Sequence, residues 1–240
     1  MPRTYSKQSA EYRASRRKYF TTAHSANTQL RCAMEGCDSH RHGISTMCKA
    51  HMVRNNLHGH PLGCRIRRSE YQTERDLIST FVLRHREHPA ITAAVELADS
   101  WLQAADRSVE VPARKEAARL FAQGIRGDEL VTEILSMWLY IWWNAKHVAW
   151  LDSAEVQARQ IGTAVLYLAP RTNLGETPSG RPKYREIPGR VRAAAGKYFV
   201  RQLAPLAANV FRTIEQEREA LKEKREQLAR PFECQALIRD

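Results

Sequence analysis

Residues Cys32 to Cys64 read CAMEGCDSHRHGISTMCKAHMVRNNLHGHPLGC, and they hold four of the five cysteines and five of the nine histidines of a 240-residue chain. Two close pairs stand out: Cys32-x4-Cys37 and, after ten intervening residues, Cys48-x2-His51. Either spacing lets one turn aim both side chains at a single point. Zn²⁺ asks for four soft or borderline ligands in a tetrahedron, and three thiolates with one imidazole meet that demand. Gly36 and Gly43 stand where a knuckle and a turn require a backbone without side-chain clash. The spacing therefore predicts a zinc site made of Cys32, Cys37, Cys48 and His51. Cys64, thirteen residues past His51, is the rival fourth ligand, or else a small buried hydrophobe. His40, His42, His58 and His60 are spare imidazoles for solvent or phosphate. Four protein ligands close the coordination shell, whereas catalytic zinc keeps one position open. The expected role of the zinc is structural.

The run Cys-x3-Gly-Cys at 32–37, Cys-x-x-His at 48–51 and His-Gly-x-Pro at 58–61 resembles a small zinc module of bacteriophage and mobile-element proteins. In many relatives that module precedes an HNH homing-type endonuclease domain, and in others it accompanies unrelated domains. The resemblance covers residues 31–63. It departs from the family pattern at Met52, where an aromatic is usual, and at His60, where an acid is usual; neither change touches a ligand.

Charge points the same way. The chain carries a formal +12, and residues 1–70 hold thirteen Lys/Arg against four Asp/Glu, leaving the other 170 residues nearly balanced. A charge excess gathered at the zinc-bearing end is the footprint of a phosphate-backbone binder. Within residues 1–30, read as a basic N-terminal arm or helix, Arg13, Arg16, Arg17 and Lys18 cluster among Tyr5, Tyr12, Tyr19 and Phe20. A helix would align the three tyrosines for docking, with the arginines outward; a free arm would order against phosphates. In the module, taken as residues 31–68, Arg54, Asn55 and His58 fall on a short helix starting near Lys49. Arginine and asparagine read guanine and adenine edges. Arg65, Arg67 and Arg68 follow as phosphate contacts.

From Ser69 the periodicity is helical, predicting a mainly α protein: a small zinc-bound module followed by an α-helical bundle over 69–230, with a tail at 231–240. Expected helices run from Glu70 to Arg86, from Pro89 to near Asp106, from Pro112 to Gly124, from Glu129 to His147 capped by Asp128, and from Asp152 or Ser153 to Pro170. The Glu129–His147 stretch is apolar almost all round, which predicts a central buried helix, with an aromatic base-stacking platform as the sharper alternative. A Gly/Pro-rich basic loop at 171–189 interrupts the pattern. It suits a short hairpin with Ser179-Gly180 at its tip and Arg181, Lys183 and Arg185 facing a nucleic-acid backbone. The C-terminal part reads as one helix over Val191–Val210, kinked at Pro205, and a second over Ile214–Arg230. Ile214, Leu221 and Leu228 recur every seven residues there, which leaves a homodimer open though one apolar position per heptad is thin for a coiled coil.

Met1 is followed by polar and basic residues without an apolar leader, and the densest apolar run, Ile134–Trp143, is too short to span a bilayer. Metal-type cysteine spacing fits a reducing interior, so the expected place is the cytoplasm of a bacterial cell or phage-infected host. Three functions compete. The first is a DNA-binding regulator or replication/recombination accessory of a phage or mobile element, with DNA favoured over RNA as partner and no membrane contact. The second is an HNH-like endonuclease, although beyond residue 64 only His85, His88 and His147 remain, all on expected helices. The third is an adaptor binding RNA polymerase or a host factor. No paired-carboxylate, Ser/His/Asp or phosphate-loop signature is present, so no catalytic residue is assigned.

Overall fold

The computed structural model describes residues 7–103 and 111–236. Among them are eight α-helices and one two-stranded sheet, a mainly α fold with the Cys/His segment ahead of the helical bundle. The chain divides into two compact units between Arg65 and Ile66. Tyr5, the expected helix end near Asp106 and residues 237–240 lie outside the described residues.

The first unit opens with α1 (Lys7–Asn27). Tyr12 and Tyr19 are 66% and 69% exposed, so neither is buried within this unit. The helix is fixed at its end instead: the Asn27 side-chain amide donates to the carbonyls of Gly43 and Ser45 at 2.9 and 2.6 Å. Residues 28–48 then form an irregular loop, pinned where Arg31 bridges His40 in antiparallel sense. α2 (Lys49–His58) follows directly from Cys48 and stops at Gly59, whose amide donates to the Asn55 carbonyl.

The second unit begins with a 3-10 turn (Arg68–Tyr71) leading into α3 (Gln72–Arg84), α4 (Pro89–Leu102), α5 (Val111–Ala122) and α6 (Gly127–Asn144). α6 buries Leu130, Val131, Ile134, Leu135, Met137, Leu139 and Ile141 and forms the centre of the core, as its all-round apolarity implies. The cap expected from Asp128 is made otherwise. Asp99 of α4 accepts the Gly127 amide at 2.7 Å, so a neighbouring helix satisfies this open N-terminus. α7 (Ala154–Leu166) follows a second 3-10 turn (Ala149–Asp152).

The basic loop folds as the antiparallel hairpin of β1 (Asn173–Glu176) and β2 (Pro182–Tyr184), then enters α8 (Gly189–Ala236). The two C-terminal helices expected over Val191–Val210 and Ile214–Arg230 are one 48-residue helix. Proline removes one ladder hydrogen bond, that to the Arg201 carbonyl, but Arg201 and Pro205 both lie on the exposed side where water replaces it. Leu203, Ala207, Val210 and Phe211 are buried on either side of Pro205, anchoring the helix to the core.

α7 and α8 meet backbone to backbone. A Cβ on Gly162 would stand 1.9 Å from the Arg192 carbonyl oxygen, and one on Gly196 would stand 1.6 Å from that of Ala158. Only residues lacking a side chain permit this approach.

Candidate metal centre

The sulfurs of Cys32, Cys37 and Cys48 and a ring nitrogen of His51 all lie within 4.8 Å of one another, a set able to hold a metal ion. Local structure explains why. The Cys37 amide donates to the Met34 carbonyl at 3.1 Å, closing a tight turn that brings the second sulfur back towards the first. Gly36 takes a positive φ of 69° within that turn, as a knuckle demands. Cys48 is the N-cap of α2, so His51, three residues on, sits on the first helical turn with its ring facing the same point. The Ala33 amide to the Thr46 carbonyl at 2.9 Å ties the two ligand pairs together.

His51 Nδ1 stands 3.4 Å from Cys32 Sγ and 3.3 Å from Cys48 Sγ, and the Cys37 and Cys48 sulfurs are 3.9 Å apart. The last separation is nearly twice a disulfide bond length of about 2.05 Å, and the four described cysteines are free. Burial raises the Cys32 thiol, but hydrogen bonds outweigh it. The backbone of Cys48 and of Met34, with the side chains of His51 and Cys37, draws it down from 9.0 to about 6. The Cys37 thiol is shifted the other way. A backbone hydrogen bond from Ser39 lowers it, yet desolvation and the neighbouring Cys32 and Cys48 sulfurs prevail and raise it. One thiolate beside a retained thiol is what crowding of negative charge produces before a cation compensates it.

Cys64 is exposed and stands outside this group, as do His40, His42, His58 and His60, so the competition for the fourth position falls to His51. Four protein donors leave a tetrahedral ion no position for water, and such a centre orders the loop instead of reacting.

The basic residues divide into three settings. On α1, Arg13, Arg16, Arg17 and Lys18 are exposed, with Arg16 lying 5.5 Å from the Phe20 ring centre. On α2, Arg54 is exposed, while Asn55 and His58 are half-buried, and Arg54 and His58 lie one turn apart on one face. Arg65 and Arg67 are exposed as well. Arg68 and Arg185 are also exposed, at 48% and 49%, but each is paired with a buried acid: Arg68 with Glu133 at 3.3 Å and Arg185 with Glu116 at 3.5 Å. Arg181 and Lys183 are exposed on the hairpin.

Sequence reasoning missed the buried charges of the second unit. Glu133, on α6, accepts from the Tyr71 hydroxyl and from Arg75 at 3.3 Å. Glu116 holds Arg119 at 2.8 Å, and Arg119 in turn donates to the carbonyls of Leu166 and Pro170, both at 2.6 Å, at the end of α7. Arg192 donates to the Ile187 carbonyl, the Tyr167 hydroxyl and Glu186. An acid within the apolar run Leu130–Trp143 was the one available signal.

No protein-family model, curated protein or solved structure matches this chain. No helix among the described residues is long and apolar enough to cross a membrane.

Proposed function

We propose that residues 1–65 form a zinc-ordered nucleic-acid-binding unit. On this reading the protein is a double-stranded-DNA-binding regulator, or a replication/recombination accessory, of a phage or mobile element. The observation that carries it is the pairing of a four-donor Cys/His cluster with a set of exposed cations on the same unit. Residues 1–65 hold eleven Lys/Arg against three Asp/Glu. Arg31 pairs with Asp38, while Arg13, Arg16, Arg17 and Lys18 of α1 are exposed to solvent and open to a polyanion.

Zinc is the ion the donor set favours. Bonds of about 2.3 Å to sulfur and about 2.0 Å to nitrogen in a tetrahedron put donor atoms about 3.6–3.8 Å apart. Three of the donor pairs stand 3.3, 3.4 and 3.9 Å apart, near that spacing, and all four donors lie within 4.8 Å of one another. Thiolate-rich sites select against magnesium and calcium, which take oxygen. Bound zinc would hold the loop and α2 in place; contact with nucleic acid falls to the side chains of α1 and α2.

Binding is favoured over cleavage by the residue set. The strand pair β1–β2 leading into α8 is the nearest arrangement to an HNH scaffold, and the chain has no histidine after His147. The histidine base and histidine metal ligand of that chemistry have no counterpart there. The resemblance of residues 31–63 to the phage module supports the DNA reading.

The test is a titration of the zinc-loaded full chain with labelled duplex DNA and RNA across a salt series, with and without Mg²⁺. Tighter duplex-DNA binding is expected, with log affinity falling by about 0.9 per contacted phosphate for each unit of log salt, and intact strands throughout. Binding to neither nucleic acid sinks the reading and favours a protein-binding adaptor. Mg²⁺-dependent strand cleavage returns the nuclease.

A further inference from the structure

We infer that the β1–β2 hairpin is a second grip on the nucleic-acid backbone, presenting one basic face to successive phosphates of a single strand; this rests on the function proposed above. The ladder runs past the strands themselves, because the Thr177 amide donates to the Arg181 carbonyl and the Arg185 amide to the Thr172 carbonyl. Residues 181–185 are therefore extended, and Arg181, Lys183 and Arg185 share one face. Their positions are spaced by about 6.7 Å, comparable with the step between neighbouring phosphates of one strand.

The cross-strand positions on this face are Thr177 and Thr172, both uncharged. The hairpin's carboxylate is on the other face: Glu176 pairs with Pro182, and Asn173 with Tyr184. The extra residue that separates those two pairs is absorbed at Gly175, with φ of 97°. Arg185, at the base, is held by Glu116, so Arg181 and Lys183 carry the exposed charge.

The hairpin is also braced, which a grip requires. The Arg171 guanidinium lies 5.6 Å from the Tyr167 ring centre and 4.9 Å from that of Tyr184. Glu186 accepts from Arg171 and from the buried Arg192, itself held by Tyr167. At the tip, Thr177 Oγ1 lies 3.0 Å from Ser179 Oγ and accepts from the Arg181 amide. All strand residues are exposed, so the bracing serves presentation and no core. A backbone grip explains both the rigidity and the one-sided charge.

The test compares the zinc-loaded full chain with its Arg181→Ala/Lys183→Ala variant on one duplex across a salt series. Glu176→Gln, on the opposite face, is the control. The double variant is expected to lower the log–log salt slope by about 1.8, for two lost phosphate contacts, while the control keeps the wild-type slope. An unchanged slope in the double variant, with the unaltered protein binding well, overturns the hairpin grip and leaves the function of the first unit standing. No binding by the unaltered protein overturns both. Capture of poly-glutamate in preference to duplex, lost in the double variant, assigns the face to an acidic protein and overturns the grip.

Discussion

Gly162 and Gly196 face each other's helices so closely that each α-carbon packs on the opposite main chain, Gly162 on Arg192 and Gly196 on Ala158. Alanine in place of glycine ordinarily gains about 1 kcal/mol within a helix. Here a methyl would meet a carbonyl oxygen at 1.9 or 1.6 Å, and backbone cannot swing aside as a flexible side chain does. Forced overpacking costs about 1–3 kcal/mol, or more where backbone must shift. Gly162→Ala and Gly196→Ala are each expected to lower the urea midpoint; a raised midpoint in either would contradict the close approach.

Glu133 is a buried carboxylate on the central helix, satisfied by Tyr71, Arg75 and Arg68. Truncating it leaves the Tyr71 hydroxyl buried without its acceptor and removes the charge that two arginines face. Glu133→Ala should destabilise the protein by about 3 kcal/mol, and Tyr71→Phe by about 1 kcal/mol. A double-mutant cycle by chemical denaturation should show the two losses to be non-additive, since they share one contact.

Asp99→Ala removes the acceptor for the Gly127 amide and should cost about 1 kcal/mol, the ordinary worth of a helix cap. Asp99→Asn keeps an acceptor oxygen and should restore most of the loss in thermal denaturation. Asp128→Ala, by contrast, should leave the melting temperature nearly unchanged.

Zinc binding should depend on pH with a definite sign. In the metal-free protein Cys32 has a depressed thiol, so its contribution to folding is complete above pH 9 and is lost as pH falls through about 6. Cys37 is shifted upward and keeps its proton at neutral pH, so metal must expel it. Chelator competition should show proton release on zinc uptake at pH 7 and affinity that falls further towards pH 5, as Cys32 also protonates. PH-independent affinity over that range would contradict the thiolate assignment.

Cys48→Ser should abolish stoichiometric uptake of zinc, or of cobalt read by its charge-transfer absorption, with the helical signal of residues 66–236 nearly intact. Cys64→Ser should keep full uptake, because Cys64 stands apart from the cluster. Retained uptake in the first variant, or lost uptake in the second, would redraw the ligand set.

The cluster was legible because metal ligation imposes short, fixed spacings, and 32–37 and 48–51 carry them in the letters. The central burial of α6 was legible for a similar reason: from Leu130 to Trp143 only Thr132, Glu133 and Ser136 interrupt an otherwise apolar or aromatic run. The break expected between Val210 and Ile214 is absent, because Val210, Phe211 and Ile214 are all buried and carry one helix through it. The seven-residue repeat of Tyr12 and Tyr19 does not say whether a partner surface exists, and both are exposed on α1. Asp99 could not be found at all from a local motif; it caps a helix that begins 28 residues later in the chain. Arg68 and Arg185 read as free cations because their acids, Glu133 and Glu116, lie 65 and 69 residues away.

The Asn27 amide fastens the last turn of α1 to Gly43 and Ser45, in a loop whose shape is fixed by the sulfurs at 32, 37 and 48 and the ring at 51. A clasp of this kind ties the helix to the loop that carries the donors. A metal that holds the donors would also hold the loop residues on which Asn27 is seated, so zinc removal is expected to loosen the end of α1, read as faster amide exchange at residues 24–30. The exposed cations Arg13, Arg16, Arg17 and Lys18 lie nine to fourteen residues back along the same helix, so the clasp ties the basic row to the donor-bearing loop.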